Sequence, residues 1–108
     1  MSVELAPRVV VSGPLVIDMD RWCVAVDGLP VYLPQRQRDL LVVLARHAGR
    51  VVSYERIIRD VWDTRRTPRS YATLIMTLKR LRQTLEQAGA RVATVAGHGL
   101  MLLSEDAL

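Results

Sequence analysis

The sequence has a single cysteine, two histidines and no phenylalanine among its 108 residues. One thiol, Cys23, cannot form an internal disulfide or supply the cysteine set of a structural zinc site. The two histidines, His47 and His98, are too few and too far apart in the chain to indicate metal ligation or a catalytic triad. No Gly-rich phosphate loop, carboxylate pair or nucleophile–base pair stands out. We therefore expect no metal, no cofactor and no enzymatic activity.

Long apolar runs are also missing. No apolar stretch approaches the roughly 20 residues that a membrane-spanning helix needs, and residues 1–7 lack the charged start and apolar run of a secretory signal. Half of the residues are hydrophobic and 24% are charged, which suits one domain with its own core. We expect that domain over residues 8–103, with flexible termini at 1–7 and 104–108, in the cytoplasm and without a membrane partner.

Positive charge is abundant and unevenly placed. The chain has 15 Lys and Arg against 11 Asp and Glu, and all but one of the cations are Arg. From Asp63 to Arg91 seven cations face two anions, a net charge of +5, whereas the rest of the chain has a net charge of −1. A localised basic segment favours a polyanionic partner. An ordinary solvated helix surface is the alternative at this point.

Hydrophobic periodicity predicts strands first and helices afterwards. Four short β-rich runs separated by turn signals, at residues 8–11, 15–17, 21–26 and 31–33, predict an antiparallel meander. A first helix begins at Pro34, in the first helical position, and stops at Gly49. Val51 and Val52 are enough for a linking strand only, and Ser53 caps a second helix.

The third helix is the basic one. Thr67 and Pro68 predict its start, and we expect it to run to about Ala88 with Gly89 as its stop. Its buried face is a stripe of leucines at helical spacing: Leu74, Leu78, Leu81 and Leu85. The opposite face then carries Ala72, Thr73, Met76, Lys79, Arg80 and Gln83, with Thr77 and Arg82 on its flanks. Residues 92–95 and 100–103 predict a terminal hairpin.

This order of elements resembles a winged helix-turn-helix domain of the α+β class, with a four-stranded antiparallel sheet, three helices and a hairpin wing. The chain is similar to the effector domain of OmpR/PhoB-type response regulators from Val9 to Leu103. The resemblance rests on Val26-Asp27-Gly28, Val31-x-Leu33, Leu40-Leu41-x-x-Leu44, Gly49-Arg50-Val51-Val52-Ser53, Val61-Trp62, Leu81-Arg82-x-x-Leu85-Glu86 and Thr94-Val95-x-Gly97-x-Gly99.

The resemblance implies sequence-specific binding of double-stranded DNA and regulation of transcription. The third helix would lie in the major groove and the wing would reach the minor groove. Positions expected to contact bases are Thr73, Met76 and Arg80. Positions expected to contact phosphate are Arg69, Thr77, Lys79, Arg82, Thr94 and His98. The implied partners, besides DNA, are RNA polymerase, a receiver or other regulatory domain, and a second copy in a tandem dimer.

The sequence departs from the family pattern at the wing. Ala96 stands where the family usually has Arg, and Leu100 and Met101 replace a Tyr and a basic residue. Ile75 replaces an acidic residue of the third helix, and the chain contains no receiver domain. An apolar wing suits a protein partner, so the alternative function is a winged-helix protein-interaction module whose DNA contacts have decayed.

Several side chains have two interpretations. Arg65 and Arg66 contact phosphate or polymerase, or simply belong to a solvated loop. Arg82 contacts phosphate or pairs with Glu86, four residues on. We expect Trp62 in the core, Trp22 in sheet packing or at an interface with another domain, and Cys23 as a small buried residue.

Overall fold

The computed structural model describes residues 8–104. Four strands come first: β1 (Val9–Ser12), β2 (Leu15–Asp18), β3 (Cys23–Val26) and β4 (Leu29–Val31). The helices are α1 (Gln35–Arg46), α2 (Tyr54–Trp62) and α3 (Pro68–Leu85), and the remaining strands are β5 (Val52–Ser53), β6 (Val92–Val95) and β7 (Gly99–Leu102). Residues 1–7 and 105–108, where we expect flexible termini, lie outside the described part, whereas Ser104 lies within it. The domain limits stay a prediction.

The first sheet is the predicted antiparallel meander, in the order β1-β2-β3-β4. Alternate residues face the core, so Val10, Leu15, Ile17 and Val24 are buried. The fourth strand begins at Leu29, two residues earlier than expected. Asp27 and Gly28 form a two-residue turn, and strand pairing resumes at once between Val26 and Leu29.

The interpretation of Cys23 as a buried residue is wrong, because the side chain is exposed. Its neighbour Val24 points into the core, and successive residues of a strand point to opposite faces. Cys23 therefore lies on the outer face, paired in register with Asp18. Trp22 precedes it in the turn, with φ of 56°, and is 47% exposed, so it does not pack within the sheet.

The second and third helices begin where their capping residues predict, and the first begins one residue later than predicted. The Ser53 side chain accepts a hydrogen bond from the backbone N–H of Arg56 and caps α2. At the start of α3, Thr67 and Ser70 form a reciprocal capping box, and Pro68 is the first helical residue. In α1, Pro34 is instead the cap and Gln35 is the first helical residue.

The third helix ends earlier than predicted. Glu86 adopts φ of 55°, and a 3₁₀ segment, Glu86–Arg91, leads into β6. Gly89 is not the helix stop. It is the residue at which the returning chain passes over the end of α3, where a Cβ would lie 2.5 Å from the carbonyl oxygen of Arg82.

The predicted terminal hairpin is present, and β5 joins it to make a second sheet in the order β5-β7-β6. The close approach of β5 explains Gly99, because a Cβ there would overlap the carbonyl oxygen of Val52. The two sheets are connected by a buried side chain. Ser12 donates a hydrogen bond to the carbonyl of Leu103 and accepts one from Arg91 Nε.

One hydrophobic core joins the first sheet, the three helices and the hairpin. All four leucines of the α3 stripe are buried, together with Leu40, Leu41 and Leu44 of α1, Ile57 and Ile58 of α2, and Leu100 and Leu102 of β7. Trp62, which we expect in the core, is half-buried and packs against the edge of the core.

The leucine stripe leads to a prediction about stability. Replacing Leu81, which is 0% exposed, with Ala should lower the free energy of unfolding by about 2 to 5 kcal/mol, because it leaves a cavity in a close-packed core. Gln83→Ala, on the exposed face of the same helix, is the matched control and should change little. Urea unfolding of both variants measures the difference. Equal stability of the two would mean that the buried face of α3 is misassigned.

Candidate nucleic-acid interface

The face of α3 opposite the leucines is open to solvent. Leu74, Leu78, Leu81 and Leu85 are at most 3% exposed, and the opposite face is exposed at Ala72, Thr73, Met76, Lys79, Arg80 and Gln83. Met76 is 47% exposed. A helix of 18 residues is about 27 Å long, and the major groove of B-DNA is wide enough to admit one. The surface therefore has the shape of a groove-reading helix.

The cations on this face are available for a ligand. Within residues 8–104, no carboxylate forms an ion pair with Lys79 or Arg80. An unpaired guanidinium offers a planar fork of donors that matches a phosphate or the edge of a guanine. Lys79 offers a compact point charge, which suits a phosphate.

Two threonines of α3 use their hydroxyl protons in hydrogen bonds to the backbone of the same helix. Thr73 Oγ1 donates to the carbonyl of Arg69 at 3.1 Å, and Thr77 Oγ1 donates to the carbonyl of Thr73 at 2.9 Å. A hydroxyl has one proton, and phosphate oxygens only accept. Thr77 would therefore have to rotate to donate to a phosphate, whereas the exposed Thr73 still has oxygen lone pairs with which to accept a hydrogen bond.

Arg82 is bound to the wing. Its Nε and Nη2 donate to the carbonyl of Val92 at 3.1 and 2.7 Å, and Nη2 also donates to Thr94 Oγ1 at 3.0 Å. This contact takes the place of the expected pair with Glu86. We call it the Arg82 bridge (Arg82, Val92 and Thr94). It ties the last turns of α3 to β6, and a phosphate contact by Arg82 stays a prediction.

Thr94 gains a directed hydroxyl from this bridge. Because Nη2 donates to its oxygen, the hydroxyl proton of the exposed Thr94 is left to point elsewhere, and a donated hydrogen bond makes a hydroxyl a better donor. A phosphate contact by Thr94 stays a prediction.

The loop before α3 contains two arginines with different surroundings. Arg65 is exposed. Arg66 Nη1 lies 2.8 Å from Glu55 Oε2, and its Cζ lies 5.3 Å from the ring centre of Tyr54 and 4.9 Å from that of Tyr71. The two rings meet edge to face at 5.2 Å. We call these four residues, Glu55, Arg66, Tyr54 and Tyr71, the arginine–tyrosine cluster.

The cluster joins the first turn of α2 to the first turn of α3. The hydrogen bond from Arg66 lowers the pKa of Glu55, and burial raises the pKa of Tyr54. Arg66 thus contacts the first turns of both helices, whereas Arg65 forms no ion pair in the described residues. Sequence reasoning missed this cluster because its members are up to 17 residues apart and follow no helical spacing.

The wing has little charge at its tip. Ala96, Gly97 and His98 are exposed, and residues 92–103 contain no Lys or Arg. Leu100 is 0% exposed and belongs to the core, and Met101 is half-buried. The expectation that Leu100 makes the wing surface apolar is therefore wrong. The alternative function, a protein-interaction module, keeps only the exposed Ala96 and the half-buried Met101 as its support.

Other kinds of site find no support in the described residues. Between residues 8 and 104, no group of three or more His, Cys, Asp or Glu side chains could hold a metal ion. No helix in that range is both long and apolar enough to cross a membrane.

Comparison with known proteins agrees with this geometry. The family model described as "Transcriptional regulatory protein, C terminal" matches residues 28–102. The sensory transduction protein RegX3 of Mycobacterium leprae is 36% identical over 110 residues, which cover 94% of this chain and 52% of that protein. The chain thus spans about half the length of the curated relatives it matches.

Solved structures give the same result. The DNA binding domain of CpxR from E. coli superimposes with a TM-score of 0.77 at 30% identity, covering 91% of this chain and 98% of that one. The response regulator DrrB of Thermotoga maritima, described as an OmpR/PhoB homolog, has a TM-score of 0.73 at 29% identity over 90% of this chain and 45% of that one. The predicted winged-helix fold is confirmed.

The Arg82 bridge predicts an effect on the wing. Arg82→Ala removes a charge-assisted fork and should lower the free energy of unfolding by about 1 to 3 kcal/mol. It should also speed hydrogen exchange of the backbone amides in β6. Arg80→Ala removes the same charge from the exposed face and should leave both unchanged. Urea unfolding and amide exchange measure the effects, and a stable, fully protected β6 in Arg82→Ala would contradict the role of the bridge.

Proposed function

The chain belongs to the OmpR/PhoB-type family of C-terminal domains of transcriptional regulatory proteins, and from this premise we propose that it reads double-stranded DNA through α3. The observation that supports the proposal is the exposed, acid-free face of α3 at Lys79 and Arg80, fixed opposite the buried leucines. In the proposed complex α3 lies in the major groove and the β6–β7 hairpin lies beside it as the wing. The result is sequence-specific binding that regulates transcription.

Three positions on the exposed face would read bases. Arg80 fits a guanine, because its fork matches the O6 and N7 acceptors of that base. Met76 presents an apolar surface suited to the methyl group of a thymine. Thr73 adds its methyl group and a hydroxyl oxygen that accepts from an amino group.

Other positions would hold the duplex through its phosphates. Lys79 and Arg69 are exposed cations on α3, and Thr94 is directed by the Arg82 bridge. Thr77 and His98 are the weaker candidates, since Thr77 donates to its own helix and His98 lies at the tip of a cation-free wing. Phosphate contacts position the domain without specifying sequence.

Further partners belong to the same proposal. A second copy would bind the adjacent repeat in tandem, RNA polymerase would meet the loop at the exposed Arg65, and a receiver or other regulatory domain would supply the signal. The additional length of the relatives supports the last of these. A cytoplasmic location belongs to the same proposal, since a domain that binds the chromosome would work there.

Arg80→Ala tests base reading. A binding site is first selected from a random DNA pool, and affinities are then measured for that site and its single-base variants. The substitution should cost about 1 to 3 kcal/mol on the selected site and relax preference at one base pair. Lys79→Ala is the matched control, and should weaken binding to all sequences alike and flatten the salt dependence by about one unit of slope. If Arg80→Ala weakens every sequence equally, Arg80 anchors a phosphate and does not read a base.

The wing gives a second prediction. Ala96→Arg restores the cation that the minor groove attracts, and should tighten binding by about 1 kcal/mol. The salt dependence should become steeper because another phosphate is neutralised. Ala96→Gln lengthens the side chain without charge and serves as the control. No gain from Ala96→Arg would show that the wing does not approach the groove, and loss of a protein partner instead would favour the protein-interaction function.

A further inference from the structure

A second cluster of positive charge lies away from α3, where α1, β5 and α2 meet. The surface there forms an open concavity of about 500 Å³. Its polar lining consists of His47, Arg50, Ser53 and Arg56, which we call the basic cleft. Arg50 and Arg56 are exposed, and His47 is half-buried. These residues take no part in the interface described above.

The charge of the basic cleft is only partly neutralised. Asp60 Oδ2 lies 3.5 Å from Arg56 Nε, and Asp60 Oδ1 lies 3.9 Å from Arg59 Nε, so this carboxylate is shared between two arginines. Burial lowers the pKa of His47, and Arg56 and Arg50 lower it further, against a smaller opposing effect of Asp60. Burial alone disfavours charge of either sign, but the effect of the arginines on His47 reflects a concentration of positive charge in the cleft, and that charge favours an anion.

Strand register places the cleft next to the wing. Ser53 pairs with Gly99, and Gly99 pairs with Val95, so the β5 wall of the cleft lies across β7 from the wing strand β6. The wing turn follows Val95 directly. On its other side β6 is tied to α3 through Thr94, in the Arg82 bridge. A duplex that contacts both α3 and the wing would therefore run on toward the basic cleft.

We propose that the basic cleft binds a phosphate group of the DNA backbone, with Arg50 and Arg56 as the donors. Each guanidinium offers several N–H groups in a plane, and together they match the two free oxygens of a phosphodiester. The inference rests on the proposed function. It assigns to this cleft the backbone contact that a wing without Lys or Arg does not supply.

The test compares two double variants that lose the same charge. Arg50→Gln/Arg56→Gln removes the cleft donors and uncovers Asp60. Arg8→Gln/Arg21→Gln is the control at the edge of the first sheet, just before β1 and in the turn between β2 and β3. Arg8 Nε lies 2.7 Å from Asp20 Oδ2, so this variant likewise uncovers an aspartate. That sheet meets the hairpin at Leu103, at the end remote from the wing turn. Thermal unfolding first checks that both variants fold.

The cleft variant should bind a random-sequence duplex and a selected site about tenfold more weakly, each by the same factor. The slope of affinity against salt should fall by about 1 to 2, since one or two phosphates are no longer neutralised. The control should match the wild type. In the wild-type chain, NMR titration should show that duplex DNA raises the pKa of His47, because a bound phosphate stabilises its protonated form.

The outcomes separate this inference from the proposed function. Equal salt slopes for the two double variants, or a pKa of His47 that duplex DNA leaves unchanged, would overturn the assignment of the cleft. Inorganic phosphate is titrated in parallel, and a larger response to it than to the duplex would make the cleft a small-anion site and overturn it as well. If Arg80→Ala loses sequence preference while the cleft variant binds DNA like the control, the assignment of the cleft is wrong and the proposed function stands. A wild-type chain that binds no duplex would overturn both.

Discussion

Burial of one leucine stripe determines what every other side chain of α3 can do. The stripe packs into the core shared by both sheets and the other two helices. Turning α3 by one residue, about 100°, would expose leucines and drive Arg80 toward the core. Burying an unpaired guanidinium costs far more than burying a leucine gains. The contact face is therefore set by the core, and DNA would meet a surface that exists before binding.

Two arginines at the ends of this helix are engaged in contacts within the protein, so not all of the positive charge of the segment is available to a ligand. Arg66 holds the first turn through the arginine–tyrosine cluster, and Arg82 holds the last turns through Val92. Arg91 is also engaged, with Ser12. The net charge of +5 from Asp63 to Arg91 thus overstates the charge offered to a polyanion. The cations of this segment that have no ion pair in the described residues and face outward are Arg65, Arg69, Lys79 and Arg80.

Residue type and helical spacing predicted most of the fold. The predictions failed where contacts between residues distant in the sequence determine the structure. The caps at Ser53 and Thr67 and the two faces of α3 follow from residue type and helical spacing, because each depends on neighbours within a few positions. Cys23 was misplaced because a short strand gives no signal of which face is inward. The Arg82 bridge joins residues 10 and 12 apart through a chain reversal, and no periodicity encodes such a contact.

The distribution of contacts bears on how much sequence one copy can read. Three positions of α3 face the bases in the proposed complex, and the wing lacks the cation that would sense minor-groove width. Each base pair read directly is worth about 1 to 3 kcal/mol of discrimination, whereas phosphate contacts, including those of the basic cleft, add affinity for all sequences equally. For a single copy, the phosphate contacts would therefore contribute more to binding DNA of any sequence than the base contacts would contribute to choosing one sequence. In the proposed tandem arrangement a second copy on the neighbouring repeat would double the number of bases read, and the discrimination energies of the two copies would add.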